Sequence, residues 1–402
     1  MSTYVPTASD IAKEKLKPWP GSFKNRLIIT AGVASLPVLL SIITFSMGGL
    51  SNDAYSPNSA LLITVRELQN NGTSLTWIAT LYPPFSLLLA AFANFTGGYA
   101  SLIMALMGSF LLSILVVSMI GILRQKRVPM KLRVILIGLI ALNPIIYWLA
   151  IYNLPGIIGL TLLALGLAHT IRFVQWGGTY NGFIAGLMFA GAILANNTAI
   201  LMVAIAIGAV ITFRWFHGTR IAAIVGMVLV LIYPTILAMI GLAATSWVTR
   251  GNPLAFLSSA ANKTDYSSLT HELSASIINI PALDWFHFGA LTGFDGVTAF
   301  LPVLFLVGIS SGVKGRLWAA VAGILFVLVQ VPVTYFPISF PAGFPFIALT
   351  VMGIVLLSEE RNRQKDNFII VLCFAQLALG WLTAITRPDT VYPWLQLLLG
   401  IG

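Results

Sequence analysis

The sequence has few charged residues. Asp, Glu, Lys and Arg make up 8% of its 402 residues, whereas soluble globular domains carry roughly 25%. Hydrophobic residues make up 58% of the chain, and its mean hydropathy is +0.93. This composition excludes an ordinary water-soluble domain. The apolar runs are about 20 residues long and lack the alternation of outer-membrane barrels, so they predict an all-α polytopic membrane protein.

The chain also lacks the residues that build disulfides, metal sites and phosphate loops. Its one cysteine, Cys373, lies in an apolar run, which excludes an intramolecular disulfide. The pair His271-Glu272 is followed by Ala275 where a zinc-binding helix requires a second histidine, so no metal site is predicted there. Gly-rich phosphate loops are absent. The net charge of +10 reflects how Lys and Arg are distributed between loops, and no nucleic-acid partner is predicted.

Eleven apolar segments are predicted to span the membrane. They are residues 27–47, 99–123, 132–151, 155–173, 180–195, 197–213, 220–244, 296–312, 317–335, 339–357 and 368–386. A further apolar stretch, 83–95, is too short, because about 13 residues rise only about 20 Å as a helix against a hydrocarbon core of about 30 Å. We interpret it as a juxtamembrane or re-entrant helix.

Basic residues fall mainly on one side of this layout. All but four of the 22 Lys and Arg lie in segments that the positive-inside rule assigns to the cytoplasm. The exceptions are Arg66, Arg250, Lys263 and Arg387. The amino terminus is therefore predicted inside and the carboxyl terminus outside. The chain divides into a cytoplasmic segment 1–26, a single transmembrane domain 27–386 and a non-cytoplasmic segment 387–402.

The first long loop on the predicted non-cytoplasmic side is residues 48–82, and loops of this length are usually functional. Asp53 follows the first span closely, so we expect it near the membrane surface. Ser56-Pro57 is typical of a helix N-cap followed by proline in the first turn. Apolar residues then recur at helical spacing over 57–70, with polar residues on the other face. This pattern predicts a short helix lying in the membrane interface.

The second long non-cytoplasmic loop is residues 246–295. It begins with Trp247 and Arg250, and apolar residues recur at helical spacing over 269–280, around His271. This pattern predicts a second interfacial helix.

Several polar motifs fall in these loops and at the ends of the predicted spans. They are Asp53 after the first span, Tyr82-Pro83-Pro84-Phe85, Asn143-Pro144, Tyr152-Asn153-Leu154, and Trp247 followed by Gly251-Asn252-Pro253-Leu254. Together they resemble the polytopic lipid-sugar-dependent glycosyltransferases of the GT-C superfamily, including the protein mannosyltransferase and aminoarabinose transferase types. The resemblance covers about 250 residues loosely, and the carboxyl-terminal third matches only in hydropathy.

The resemblance implies inverting transfer of a sugar from a polyprenyl-phosphate carrier in the bilayer to an unidentified acceptor on the non-cytoplasmic face. Asp53 matches the family's catalytic carboxylate, and a base that takes the proton of an acceptor hydroxyl contributes about 10²–10⁴-fold. Arg250 is the first candidate for binding the leaving donor phosphate, with Arg387 and His271 behind it. The residues predicted to line the substrate groove are Asn52, Tyr55, Tyr82, Asn153 and Trp247.

The chain departs from these relatives at the start of the fourth span. Many of them have a second acidic residue where this chain has Asn153, and the acidic pair can hold a divalent cation. Dependence on Mg²⁺ or Mn²⁺ is therefore left open. Two other functions stay open: a non-catalytic subunit of a membrane complex, and a transporter or flippase for lipid-linked sugars. The sequence lacks features that depend on glycosylation, and this favours a bacterial inner membrane.

Overall fold

The structure is a computed structural model, and the part of the chain that it describes is helical. The described residues are 23–48, 56–70, 84–125, 130–142, 144–196, 198–216 and 218–254, together with Leu50, Phe256, Phe374 and Ala378. None of these residues lies in a β-strand, so the all-α prediction is confirmed for this part. The predicted interfacial helix 269–280 and the predicted spans after residue 295 lie outside it, apart from two single positions in the last span.

Ten α-helices make up most of the described chain. They are α1 (Phe23–Ser46), α2 (Pro57–Asn70), α3 (Pro84–Asn94), α4 (Ala100–Gln125), α5 (Met130–Ala141), α6 (Pro144–Tyr152), α7 (Leu154–Trp176), α8 (Thr179–Ala195), α9 (Thr198–Phe216) and α10 (Ile221–Arg250). Three of them begin at a proline, Pro57, Pro84 or Pro144. Proline fits the first turn because its fixed φ suits a helix and its missing N–H would have no partner there.

Four helical segments are long and apolar enough to cross a membrane. They are Leu27–Ser46, Gly97–Gly121, Leu154–Trp176 and Ile221–Val248. Each coincides with a predicted span, which confirms those four as helices of the right length. The two predicted spans that follow α7 form the shorter apolar helices α8 and α9. The described chain therefore has the helices of a polytopic membrane protein.

The predicted span 132–151 is wrong as a single helix. The structure divides it into α5, which ends at Ala141, and α6, which begins at Pro144. The reason is local: proline has no N–H to donate, its ring clashes with the carbonyl four residues earlier, and the residue before it avoids the helical region. The sequence Asn143-Pro144 carried this signal within an otherwise continuous apolar run.

Helix α2 forms where the sequence predicts it, and its N-cap is confirmed, because the backbone N–H of Ser59 donates to Ser56 Oγ at 3.1 Å. Its predicted position in the membrane interface stays a prediction. Leu61 is fully buried and Val65 is 2% exposed, and α2 contacts α3, α4 and α7. The apolar face of α2 therefore packs against protein.

The predicted boundary of the second long loop also changes. The sequence predicts that this loop begins at residue 246, but α10 continues through Arg250. Gly251 then ends the helix with a φ of 68°, a left-handed conformation that glycine adopts without strain. Trp247 and Arg250 therefore belong to the last turn of α10.

Helices α1 and α4 run antiparallel and are joined by a buried polar contact. Ser41 Oγ and Ser109 Oγ lie 3.3 Å apart, and neither residue is exposed. Near the ends of the two helices, the rings of Phe45 and Tyr99 contact each other with centroids 5.8 Å apart. Serine pairs of this kind hold membrane helices together where no hydrophobic force distinguishes protein from lipid.

Helix α8 packs between α7 and α10 through two glycines. A side chain at Gly182 would meet the ring of Phe173 in α7, and one at Gly186 would meet the Leu231 carbonyl and the ring of Pro234 in α10. The pair Gly182 and Gly186 therefore serves close packing within the chain.

Gly108 provides a direct test of this packing. A Cβ at Gly108 would overlap the backbone carbonyl of Ala150 in α6, whereas Gly121 of the same helix has nothing within 4 Å of its Cβ position. Because a backbone carbonyl cannot rotate away, we expect Gly108→Ala to destabilise the protein by about 1–3 kcal/mol. The thermal unfolding midpoint of the full chain in detergent measures this loss, and Gly121→Ala is the matched control. Equal midpoints for the two variants would contradict the packing.

Candidate functional site

The structure describes three of the nine residues assigned to the candidate site. Six lie outside the described residues: Asn52, Asp53, Tyr55, Tyr82, His271 and Arg387. Of the other three, Trp247 is 66% exposed and Asn153 is 2% exposed. Arg250 is described by its backbone, as the last residue of α10. The region of the site is therefore defined by the helix ends that lie next to these nine positions in the sequence.

Asn153 occupies the break between α6 and α7. Its side-chain Oδ1 accepts a hydrogen bond from the backbone N–H of Gly156 at 2.8 Å, which makes Asn153 the N-cap of α7. Pro155 stands in the first turn, where no N–H is needed. The amide of Asn153 thus has a structural task, because the first N–H groups of a helix have no partner within it.

Asn58 of α2 joins both sides of the same break. Its Nδ2 donates to the carbonyl oxygen of Ile151 at 2.9 Å, and its Oδ1 accepts from the backbone N–H of Leu154 at 2.7 Å. Asn58 is 4% exposed. One amide therefore satisfies the last turn of α6 and the first turn of α7 at once, 93 or more residues away in sequence. The sequence analysis missed Asn58, and no local pattern marks it.

The start of α3 is held at the end of α8. Ser86 is fully buried, and its Oγ donates to the carbonyl oxygen of Ala195 at 2.7 Å. The next residue after Ala195, Asn196, is 7% exposed. Because α3 begins at Pro84, its first turn lies at this end of the bundle.

Polar side chains connect α2 and α3 on their exposed sides. Arg66 Nε donates to Asn94 Oδ1 at 3.2 Å, and Asn94 Nδ2 donates to Gln69 Oε1 at 2.7 Å. Arg66 is exposed. These hydrogen bonds join the two short helices, whose exposed sides also carry the apolar side chains of Ile63, Leu88 and Phe92.

Helix α7 begins well beyond the end of α8. The two helices are antiparallel, with Phe173 opposite Gly182, so Ala195 at the end of α8 is level with Leu160. Asn153 stands seven residues before Leu160. At about 1.5 Å per residue, Asn153 lies about 10 Å beyond the end of α8.

Helix α10 reaches a similar level. Gly186 of α8 lies against Pro234 of α10, and the two helices run in the same direction, so Ala195 is level with Ala243. Arg250 stands seven residues further along α10, which is about 10 Å. The structure therefore brings Asn153 and the backbone of Arg250 to one end of the bundle and to a comparable height.

Carboxylates are scarce near this end. The chain has no Asp or Glu between Glu67 and Asp265, so helices α3 to α10 supply none. No group of three His, Cys, Asp or Glu that could hold a metal ion occurs among the described residues. Any carboxylate that acts here must therefore come from a loop or from α2.

Comparisons of the chain with protein-family models, curated proteins and solved structures give no match. The resemblance to GT-C glycosyltransferases therefore stays a prediction that depends on the motifs themselves. What the structure adds is the position of the helix ends next to those motifs.

The Asn58 bridge is testable by a single substitution. In Asn58→Ala, the Ile151 carbonyl and the Leu154 N–H lose their side-chain partner inside the protein, and each unsatisfied group costs about 1–3 kcal/mol. We expect a clear drop in the thermal unfolding midpoint of the full chain in detergent. Asn70→Ala, at the exposed end of the same helix, is the control and should have little effect. If the two variants unfold at the same temperature, the bridge contributes nothing to stability.

Proposed function

We propose that the chain is a membrane glycosyltransferase that moves a sugar from a polyprenyl phosphate to an acceptor, with inversion, on the non-cytoplasmic face. The topology of this proposal is the predicted one: eleven spans, the amino terminus inside and the carboxyl terminus outside. A bacterial inner membrane is the proposed location. The proposed site lies at the end of the bundle that holds the first turns of α2, α3 and α7 and the last turn of α10.

The Asn58 bridge is the observation that carries the proposal. It holds the beginning of α2 against the break at Asn153. Asp53 precedes the N-cap Ser56 by three residues, and three residues of chain extend at most about 11 Å. We therefore expect the backbone of Asp53 near this end. Two positions then belong to one region: Asp53, which the resemblance makes catalytic, and Asn153, where relatives have a second acid.

The proposed chemistry needs one base and one cation. Asp53 takes the proton of the acceptor hydroxyl while that oxygen attacks the anomeric carbon, and the bond to the carrier phosphate breaks on the opposite face of the sugar. The phosphate leaves with negative charge, which a nearby cation stabilises. Arg250 is the first candidate, with Arg387 and His271 next. The scarcity of carboxylates on the neighbouring helices favours Asp53 as the base, because Glu67 is the one other acid in the first loop.

The residues at the α6–α7 break do not fit a metal site. The Oδ1 of Asn153 accepts from Gly156 N–H, and the side chain is almost fully buried. An amide oxygen that caps a helix in this way is not directed at a ligand. The proposed reaction therefore includes no step that uses Mg²⁺ or Mn²⁺.

A second candidate function is a non-catalytic subunit that keeps this fold within a membrane complex. The observation that favours it is again Asn153, where a capping amide stands in place of the relatives' acid. This candidate predicts no transfer of sugar by the purified chain. The two functions are separated by the assay that follows.

Asp53→Asn tests the proposed base. Purified chain in nanodiscs is given polyprenyl-phosphate hexoses and pentoses together with a cell-envelope extract as the source of acceptor hydroxyls, and release of the carrier phosphate is measured. We expect Asp53→Asn to lower turnover by about 10²–10⁴-fold, because the amide cannot accept the proton. Glu67→Gln removes the other acid of the first loop and should leave turnover nearly unchanged. Equal turnover by wild type and Asp53→Asn would remove Asp53 from the mechanism, and no turnover with any sugar would favour the non-catalytic subunit.

Arg250→Ala tests the proposed phosphate contact. Loss of a cation that binds the donor phosphate before and during transfer raises KM more than it lowers kcat. We expect the apparent donor KM to rise, and the same assay with varied donor concentration measures it. Lys263→Ala, which removes another of the four basic residues predicted on this face, is the control. An unchanged donor KM in Arg250→Ala would exclude Arg250 from the site.

A further inference from the structure

The opposite end of the bundle contains an arginine fixed between two helix ends. Arg214 lies in the last turn of α9, and its Nη2 donates to the backbone carbonyl of Val174 near the end of α7. The side chain is partly buried. Its Nε has no hydrogen-bond partner among the described residues and is shielded from solvent. The bond to Val174 therefore fixes the plane of the guanidinium while using one of its five N–H groups.

Exposed aromatic residues occur at the helix ends of the same end of the bundle as this arginine. Trp215, the next residue along α9, is 60% exposed, and Trp176, the last residue of α7, is 49% exposed. Tyr180, at the start of α8, is 72% exposed. Tryptophan and tyrosine concentrate at the level of lipid headgroups, where one side of the ring is apolar and the other is wet. These three residues place Arg214 at the level of the headgroup phosphates.

The neighbouring helices offer no negative side chain to Arg214. Helices α3 to α10 contain neither Asp nor Glu, whereas Arg172 and Arg220 add positive charge at the same end. The carboxyl ends of α7 and α9 contribute only about half a negative charge each. Capping of α7 thus explains the position of the guanidinium but leaves most of its charge without a counter-ion in the described bundle.

We propose that Arg214, with Trp176, Tyr180 and Trp215, forms a site for the phosphate of an acidic phospholipid. The guanidinium binds the headgroup phosphate through the Nη N–H groups that the Val174 carbonyl does not use, because Nε is shielded from solvent, and the aromatic rings contact the glycerol and the upper acyl chains. Guanidinium and phosphate form charge-assisted hydrogen bonds. The site lies at the end of the bundle opposite the candidate catalytic site and does not depend on the proposed function.

Native mass spectrometry tests the site on the full chain in a non-ionic detergent, titrated with phosphatidylglycerol or phosphatidylcholine. We expect wild type to prefer phosphatidylglycerol, and Arg214→Gln to weaken its binding by about tenfold, the effect of one lost charge-assisted hydrogen bond. Arg220→Gln is the matched control, because it removes an exposed arginine from the same end. The affinity of Arg220→Gln for phosphatidylglycerol should stay within about twofold of wild type. An exposed arginine is attracted to an anionic membrane surface, and a micelle of non-ionic detergent has none.

Two outcomes of this titration overturn the proposal. Equal losses in Arg214→Gln and Arg220→Gln indicate diffuse attraction without a site. No loss in either variant indicates that Arg214 serves only as a cap or pairs with a carboxylate of the chain. Millimolar inorganic phosphate is added in a further arm, and complete displacement of the lipid would assign the site to a soluble anion.

A second measurement uses only the wild-type chain, so it does not depend on whether Arg214→Gln folds. A photoactivatable phosphatidylglycerol with its reactive group near the headgroup is cross-linked in nanodiscs, and the modified peptides are mapped. We expect labelling to concentrate on peptides from the end of α7 and the end of α9, with a phosphatidylcholine analogue labelling them several-fold less. Equal labelling by the two lipids would overturn the proposal.

Discussion

Buried backbone N–H and C=O groups have no water to bind, so the helix ends that meet at the α6–α7 junction must be satisfied by the protein itself. The break between α6 and α7 is satisfied by two buried amides. Asn153 caps its own helix, and Asn58 reaches from α2 to the carbonyl of Ile151 on one side and the N–H of Leu154 on the other. This requirement fixes α2 against the bundle. The position of the first loop, and with it the candidate site, depends on that contact.

The two ends of the described bundle are built from different chemistry. At the end that holds the candidate site, neutral amides and hydroxyls close the helix ends, as Ser86 does at Ala195. The other end has Arg214 and the exposed residues Trp176, Tyr180 and Trp215, which form the proposed lipid site. Because helices α3 to α10 contain no acid, charge at either end must be balanced by loops, lipids or substrates. Acidic residues are scarce in the sequence, and this scarcity is the physical reason for proposing a function for Asp53.

Hydropathy and helix-boundary signals predicted the long helices well, because a spanning helix is specified by its own 20 or so residues. One error came from a local signal, and other features depend on contacts that the sequence does not show. Pro144 divides one apolar run into two helices, although the run reads as a single span. Helix α2 has the amphipathic pattern of an interfacial helix, but Leu61 and Val65 bury the same face against protein, and the pattern alone does not distinguish lipid from protein. Asn58 could not be foreseen, since its partners are 93 and 96 residues away.

The central claim is that a donor phosphate and Asp53 meet at the end of the bundle where Asn58 bridges α6 and α7. Cryo-electron microscopy of the chain with a non-hydrolysable polyprenyl-phosphonate sugar tests it most directly. The account predicts density for the phosphonate beside the last turn of α10, with the sugar between it and the Asp53 carboxylate. Density for the phosphonate at another place, or an Asp53 carboxylate that faces away from the sugar, would contradict it.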